Sequence, residues 1–180
     1  MAGGRVSRAP EAVLDVTIRP AEPHDTTAMG SVWLRAALVG YEGIFPPGSP
    51  MPTVEAVAED WRLAISQPWG RAAYFVACDA GPDRQVVGTV AAVPDPDETS
   101  RGHLQALYVD PGYWGRGIGR TLHDAALDHL RRSGFRVAVC WVLEANVRAR
   151  AMVERWGWRS APARQTEVPG VDEICYLLSL

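Results

Sequence analysis

Apolar residues recur every three to four positions in four stretches of the chain, the spacing that places them on one face of an α-helix. Ile118, Leu122, Ala126 and Leu130 form the clearest of these faces. The spacing predicts helices over residues 25–39, 53–67, 117–132 and 146–155. Short polar residues that can accept a hydrogen bond from a free main-chain N–H stand at three predicted helix starts: Asp25, Thr53 and Asn146.

Alternating or continuous apolar runs lie between these helices and are typical of β-strands. They predict strands over residues 13–19, 72–78, 85–93, 103–109, 135–143 and 173–180, with a further strand at Trp158. The turn at 80–83 predicts a hairpin, the Gly- and Pro-rich residues 40–52 a loop, and the small polar residues 1–12 a disordered tail. The order of elements predicts one α/β domain over residues 13–180 with a mixed sheet.

Composition and charge narrow the classes of function. The 180 residues suffice for one domain with a sizeable core, and a net charge of −3 provides no broad basic field for nucleic acid or anionic lipid. No apolar run approaches the roughly 18 residues of a membrane-spanning helix. Three scattered cysteines without a CxxC pair argue against a metal site such as zinc and against a disulfide framework, and they favour the reducing cytoplasm.

The candidate chemistry lies in a Gly-rich turn between a strand and a helix, where Gly115, Gly117 and Gly119 occupy alternate positions. The first amides of a helix have no partner within it, and the helix dipole is positive at that end. The turn therefore predicts a cradle of main-chain N–H groups for a diphosphate, with Arg116 and Arg120 adding positive charge. The alternative is an ordinary helix start with glycines in its turn.

Two other phosphate motifs are excluded, because no GxxxxGK string followed by Ser or Thr occurs and the third glycine of GxGxxG is replaced by Arg120. The stretch instead resembles the acetyl-CoA-binding core of the GNAT superfamily of acetyltransferases, in which Gln or Arg opens a turn with glycines at the fourth and sixth positions. Trp114 stands at the opening position here. A second family motif is matched downstream by Asn146, Ala149, Met152, Val153, Glu154, Gly157 and Trp158.

The resemblance covers residues 103–158 and implies a GNAT-like α/β fold: a mixed, mainly antiparallel sheet with a splayed parallel strand pair, flanked by helices. It also implies binding of acetyl-CoA as co-substrate. The pantetheine arm would pair with main-chain groups around Leu107, Tyr108 and Val109. The diphosphate would lie on Gly115, Arg116, Gly117, Ile118, Gly119 and Arg120. Asn146 would contact the same arm, cap its helix, or do both.

The implied reaction is acetyl transfer to a primary amine by direct attack in a ternary complex, with a main-chain N–H near Val109 holding the oxyanion. Some family members place a glutamate base at the position of His103, which could remove the amine proton directly or through water. The alternative for His103 is a solvent-facing histidine at a strand edge. Gln105 shares its face and could position the acceptor. Val153 replaces the tyrosine that protonates the thiolate in many members.

The acceptor side of the family is built from the first two helices and their loop, which indicates Tyr41, Glu42 and Phe45 here. Glu42 could attract an ammonium group, which makes it the second catalytic candidate, and the rings could cover that group. The alternative is an ordinary surface carboxylate. Polyamines, amino acids, antibiotics, other amines and protein N-termini all fit the family, as does a homodimer. A non-catalytic acyl-CoA-binding regulatory domain is the alternative function.

Overall fold

The computed structural model describes residues 16–98, 100–168 and 170–180. Its helices are α1 Thr26–Gly40, α2 Val54–Ser66, α3 Ile118–Arg132 and α4 Val147–Arg155. Its strands are β1 Val16–Pro20, β2 Ala73–Asp79, β3 Val86–Pro94, β4 Gly102–Val109, β5 Val137–Leu143, β6 Arg159–Val168 and β7 Val171–Ser179. Short 3-10 turns precede α1 and follow β4. The predicted tail and the first residues of the predicted strand at 13–19 lie outside the described residues.

Within the described residues, seven strands form one sheet in the order β1-β2-β3-β4-β5-β7-β6. Only β4 and β5 are parallel neighbours, and every other neighbouring pair is antiparallel. The mixed, mainly antiparallel sheet predicted from the sequence is therefore confirmed. No helix of the described part combines the length and apolar character needed to cross a membrane.

Two apolar clusters cover the two faces of the sheet. On one face α3 and α4 pack through residues such as Leu122, Leu130 and Val153. On the other face Met29 of α1 and Trp61 of α2 pack on the strands. Burial of these side chains is the main favourable term for the fold. The face under α1 and α2 is the one on which the candidate site is built.

The helix starts follow the predicted caps with one difference. The Oγ1 of Thr53 accepts from the amide of Ala56 at 3.2 Å, as an N-cap does. Asp25 precedes α1, but its carboxylate does not cap that helix. It accepts instead from the amide of Glu22 and pairs with both terminal nitrogens of Arg19 at 2.7 Å. Because the Asp25 carboxylate is buried, the Arg19 guanidinium stabilises its charge more strongly than the main-chain amides of α1 would. This ion pair links β1 to the start of α1.

The start of β6 is displaced by a buried side-chain contact. Trp158 was predicted as a strand residue, but β6 begins at Arg159. The Trp158 indole N–H donates to Nε2 of His123 at 2.9 Å, so Nδ1 of that ring carries the proton that faces Asp124 at 2.8 Å. Burial lowers the pKa of His123. This neutral histidine joins α3 to the beginning of β6.

A close approach between α1 and α2 occurs at Gly30. A methyl group at this position would lie 2.8 Å from the main-chain oxygen of Val54, whereas one at Gly40, in the same helix, would meet nothing within 4 Å. Gly30→Ala must therefore push α2 away, and we expect it to lower the free energy of unfolding by about 1–3 kcal/mol. Gly40→Ala is expected to raise it by up to about 1 kcal/mol through helix propensity. Urea denaturation midpoints check both, and equal effects would contradict this packing.

Candidate active site

A β-bulge in β4 determines which side chains face α1. In the pairing with β3, Thr89 lies opposite Tyr108 and Ala91 opposite Gln105, so two residues of β4 stand against one of β3. Ala106 adopts the left-handed φ of +53° that this requires. The bulge reverses the side-chain alternation: Leu104 before it and Leu107 and Val109 after it all belong to the cluster under α3, whereas Ala106 packs against the cluster under α1.

The same strand separates from its parallel neighbour. Pairing between β4 and β5 is confined to Gly102 with Ala138 and His103 with Val139. Beyond these pairs the edge of β4 that faces β5 is open. Since the amide of Asp110 donates to β3 at 2.9 Å, alternation turns the main-chain groups of Leu107 and Val109 toward the open edge. The splayed parallel pair expected from the sequence is thus observed.

The Gly-rich turn leads from β4 into α3. The Asp110 carboxylate accepts from the amide of Gly112 at 2.9 Å and pairs with Arg35 of α1, which fixes the start of the turn. Gly117 holds the position before α3 with φ +83°, a conformation that L-residues other than glycine rarely adopt. Within the described residues no group accepts from the main-chain N–H groups of residues 115–119. Those amides form the row of donors that the sequence predicts.

The two predicted cations of the turn have different surroundings. Arg120 forms an ion pair with Asp124 at 2.9 Å and lies over the ring of Trp156. The guanidinium of Arg116 lies 5.2 Å from the ring centre of Tyr113, and no carboxylate of the described residues pairs with it. The charge of Arg116 is therefore not offset by a carboxylate of the described residues, whereas that of Arg120 is.

Trp114 and Arg148 form a stacked pair that the sequence did not reveal. The Trp114 indole N–H donates to the main-chain oxygen of Val109 at 2.7 Å. The guanidinium carbon of Arg148, in the first turn of α4, lies 3.8 Å from the centre of the Trp114 ring. The pair spans the open edge between β4 and α4. Two features could have signalled it: an aromatic residue at the opening position of the turn, and an arginine two residues after Asn146.

Helix α4 carries two residues of the second family motif, Asn146 at its start and Val153 on its buried face. The Asn146 side-chain oxygen accepts from the amide of Ala149 at 3.0 Å, so the capping role is confirmed. Val153 is buried in the cluster under α3, where it offers no proton. The role of Asn146 toward a ligand stays a prediction.

The loop after α1 brings two of its three predicted residues together. The hydroxyl oxygens of Tyr41 and Tyr108 lie 3.1 Å apart, and Phe45 makes an edge contact with Tyr41 at 5.6 Å between ring centres. Burial raises the pKa of both tyrosines, so they remain phenols. Glu42 is exposed and has no ion pair with another described residue. The Tyr108 side chain thus belongs to the α1 side and not to the open edge of β4.

His103 and Gln105 line a cavity of about 330 Å³ on the α1 and α2 side of the sheet. Burial lowers the pKa of His103, and the charge of Arg101 lowers it further, while Asp95 and Asp97 act in the opposite direction. The ring is therefore neutral at pH 7 and can accept a proton. His103 is half-buried and pairs with strands on both sides, so it does not lie at an edge of the sheet. Its role as a base stays a prediction.

The splayed strand, the free amides of the Gly-rich turn and the capped helix after β5 all lie within one stretch that matches a known family. A family model described as the acetyltransferase (GNAT) family matches residues 29–158. The chain belongs to the GNAT family of acetyltransferases. The matched stretch contains the Gly-rich turn, His103 and Asn146, and it ends at Trp158.

Two curated relatives of this GNAT chain are mycothiol acetyltransferases, from Geodermatophilus obscurus and Propionibacterium freudenreichii. They are 37% and 35% identical to it over 105 and 106 residues. Each alignment covers 56% of the chain but only 33% and 32% of the relative, so the chain spans about a third of the length of the curated relatives it matches.

Among solved structures, the fold resembles that of PaiA N-acetyltransferase from Thermoplasma acidophilum in complex with coenzyme A. The TM-score is 0.75 at 15% identity, and the match covers 93% of this chain and 100% of the other. The predicted GNAT fold and the acetyltransferase family are therefore confirmed, and acetyl-CoA is the co-substrate that acetyltransferases of this family use. Within the described residues no group of three His, Cys, Asp or Glu side chains could hold a metal ion.

Proposed function

We propose that this chain transfers the acetyl group of acetyl-CoA to the primary amine of a small molecule, by direct attack in a ternary complex. The observation that carries the proposal is the open edge of β4 beside a row of main-chain N–H groups without acceptors. The naming of the curated relatives for mycothiol, not for a protein substrate, supports a small-molecule acceptor.

The residues present fit a CoA thioester. Added methyl groups at Gly115 and Gly117 would meet nothing within 4 Å, so the row of amides is open to a diphosphate. The main-chain groups of Leu107 and the N–H of Val109 face the gap through which a pantetheine arm would pass, while the Val109 oxygen already accepts from the Trp114 indole. Arg116 and Arg148 supply positive charge at the two sides of the cradle. When bound, acetyl-CoA supplies an activated acyl group with a thiolate as leaving group.

The chain's own groups then have separable roles. The amine of the acceptor is mostly protonated at neutral pH, and neutral His103 takes its proton, directly or through a water molecule held with Gln105. The N–C bond forms as the C–S bond breaks, and the main-chain N–H near Val109 stabilises the negative charge that develops on the carbonyl oxygen. Val153 cannot protonate the thiolate, so the thiolate leaves unassisted or takes a proton from water or another group.

The test has two stages. Calorimetric titration with acetyl-CoA, CoA, ATP and NAD should show binding of the two CoA species alone. Thiol release in the presence of primary amines should then exceed that in their absence. Binding without turnover would favour a regulatory acyl-CoA-binding domain, a reading that Val153 supports. Failure to bind either CoA species would overturn the proposal.

Arg148 is expected to contact the phosphates of CoA from its stack on Trp114. Arg148→Ala should raise the Kd of acetyl-CoA about tenfold, since one charge-assisted contact contributes about 1.4 kcal/mol. Arg148→Lys should recover only part of this affinity, because an ammonium does not stack on an indole as a planar guanidinium does. Titration of each variant measures the effect.

Two controls separate a phosphate contact from a structural effect. S-acetyl-pantetheine lacks phosphates, so its weaker binding should be the same in wild type and Arg148→Ala. Arg62→Ala removes a distant arginine that pairs with Glu59 on α2, and it should leave acetyl-CoA binding unchanged. An equal loss of affinity for both thioesters would show that Arg148 acts only through the fold.

A further inference from the structure

The cavity beside His103 opens at the point where β4 and β5 part. The last parallel pair is His103 with Val139. Gln105 and Trp141 each stand two residues farther along their strands, and both line the cavity. Its mouth therefore lies at the gap between the splayed strands, next to the site proposed for the thioester. A molecule held there is within reach of both His103 and that gap.

Aromatic and polar side chains share the walls of this cavity. Trp69, Tyr74 and Trp141 line it together with the rings of Pro94 and Pro96. Tyr74 is held by an edge contact with Trp61 of α2, at 5.8 Å between ring centres. Trp69 leaves 53% of its surface exposed, which is unusual for so large an apolar side chain. A volume of about 330 Å³ equals that of about ten water molecules, which suits one small ring and a short chain.

The charged groups of the cavity are all acidic. Asp95 is buried and pairs with Arg101 at 2.8 Å, so its charge is compensated. Asp97 is exposed, and within the described residues no cation pairs with its carboxylate. No Lys or Arg side chain lines the cavity, and His103 is neutral. The cavity therefore favours an ammonium group, and its lining offers no cation to pair with a carboxylate or a phosphate.

We propose that the acceptor is a small arylalkylamine, with its ring against Trp69 and Trp141 and its amine directed toward His103, and without an anionic group beside that amine. This inference rests on the proposed function and specifies its substrate class. The rings supply apolar contact and cation–π attraction, while Asp97 attracts the ammonium before its proton is removed. A carboxylate beside the amine would lose its water without gaining a cation.

The test compares kcat/KM at saturating acetyl-CoA for four amines: 2-phenylethylamine, L-phenylalanine, L-phenylalaninamide and spermidine. We expect 2-phenylethylamine to exceed L-phenylalanine by about 100-fold, because the carboxylate finds no cation in the cavity. It should exceed spermidine as well, because spermidine has no ring to pack against Trp69 and Trp141. L-Phenylalaninamide should fall near 2-phenylethylamine, because it differs from L-phenylalanine only in lacking the charge. Comparison of L-phenylalanine with L-phenylalaninamide therefore separates the effect of the carboxylate charge from the effect of molecular shape.

Variants locate the effect in the cavity. Trp69→Ala, at a half-exposed position that does not threaten folding, should raise KM for 2-phenylethylamine about tenfold and leave the Kd of acetyl-CoA unchanged. Asp97→Asn should raise KM for all cationic amines. Leu63→Ala, on the exposed side of α2, is the control and should change neither constant.

The outcomes separate this inference from the proposed function. Turnover in which spermidine or L-phenylalanine equals or exceeds 2-phenylethylamine would overturn the acceptor class and leave acetyl transfer intact. An unchanged KM in Trp69→Ala would place the acceptor outside this cavity and likewise overturn the inference. Absence of acetyl-CoA binding would overturn both.

Discussion

Replacement of His103 by alanine is expected to lower kcat/KM for amine acetylation by about 100-fold or more, the range over which a positioned base contributes. The ring lines the acceptor cavity at the last residue where β4 still pairs with β5, so its position is fixed by the sheet. His103→Gln should not restore the rate, because an amide keeps the size and polarity of the side chain but accepts no proton. Steady-state kinetics at fixed acetyl-CoA measure both variants.

The pH profile distinguishes a base from a side chain that only shapes the cavity. Burial lowers the pKa of His103 below its ordinary value of 6.5, so the neutral ring predominates at pH 7 and is lost only as the pH falls through that lower pKa. Wild-type kcat/KM should therefore fall on the acid side at a pH below 6.5, and His103→Ala should lack this limb. His24→Ala, which removes a histidine that is 70% exposed, should keep it. If the acid limb of the kcat/KM profile persisted in His103→Ala, the titrating group would be a residue other than His103.

Gly117→Asn is expected to weaken acetyl-CoA binding about 100-fold, equivalent to about 2.7 kcal/mol. Asparagine tolerates the left-handed conformation better than other side chains, so the turn should survive. Its side chain would enter the space over the free amides, and its oxygen could accept from the donors intended for the diphosphate. Calorimetric titration with acetyl-CoA measures the loss.

Gly134 provides the matched control, because it ends the same helix with φ +86° and lies away from the cradle. Gly134→Asn imposes the same conformational demand and should leave the Kd of acetyl-CoA within about twofold. Thermal denaturation of the two variants should show similar small losses. If both variants bound acetyl-CoA as the wild type does, the glycines of the turn would be structural and the cradle would not hold the ligand.

The helices were predictable because each carries a long apolar stripe with signals at its ends. The predicted helix at 117–132 matches α3 to within one residue, and Gly134 follows it in the left-handed conformation. Thr53 and Asn146 cap their helices as predicted. Asp25 does not cap α1 because its carboxylate pairs with the guanidinium of Arg19 instead. This contact depends on the packing of β1 against α1, which the local sequence does not predict.

The bulge in β4 was not predictable from alternation. A strict period of two places Leu107 and Val109 on the face of His103, whereas the extra residue at Ala106 returns Tyr108 to that face. Alanine carries no signal for a left-handed backbone, which is normally left to glycine or asparagine. The family motif therefore predicted the position of the strand correctly, but it did not predict which side chains of the strand face α1.

Contacts between distant segments explain the remaining differences in the candidate site. Arg148 meets Trp114 only because α4 starts beside the Gly-rich turn, and Trp69 and Trp141 meet the cavity of His103 only after β2 to β5 have assembled. The local sequence predicts none of these contacts between distant segments. The family motifs indicated the turn and Asn146 by their spacing and His103 by its position on the strand, and the roles of these residues toward a ligand stay predictions.

The short parallel pairing has a consequence for the stability of the whole chain. Two residue pairs join β4 to β5, whereas seven join β5 to β7, so the sheet is nearly two separate sheets. A pantetheine arm in the gap would act as the missing strand between them. Free energy of binding then becomes free energy of folding, about 2.7 kcal/mol at a ligand concentration 100 times the Kd. The free energy of unfolding of this chain would therefore rise with the concentration of the coenzyme.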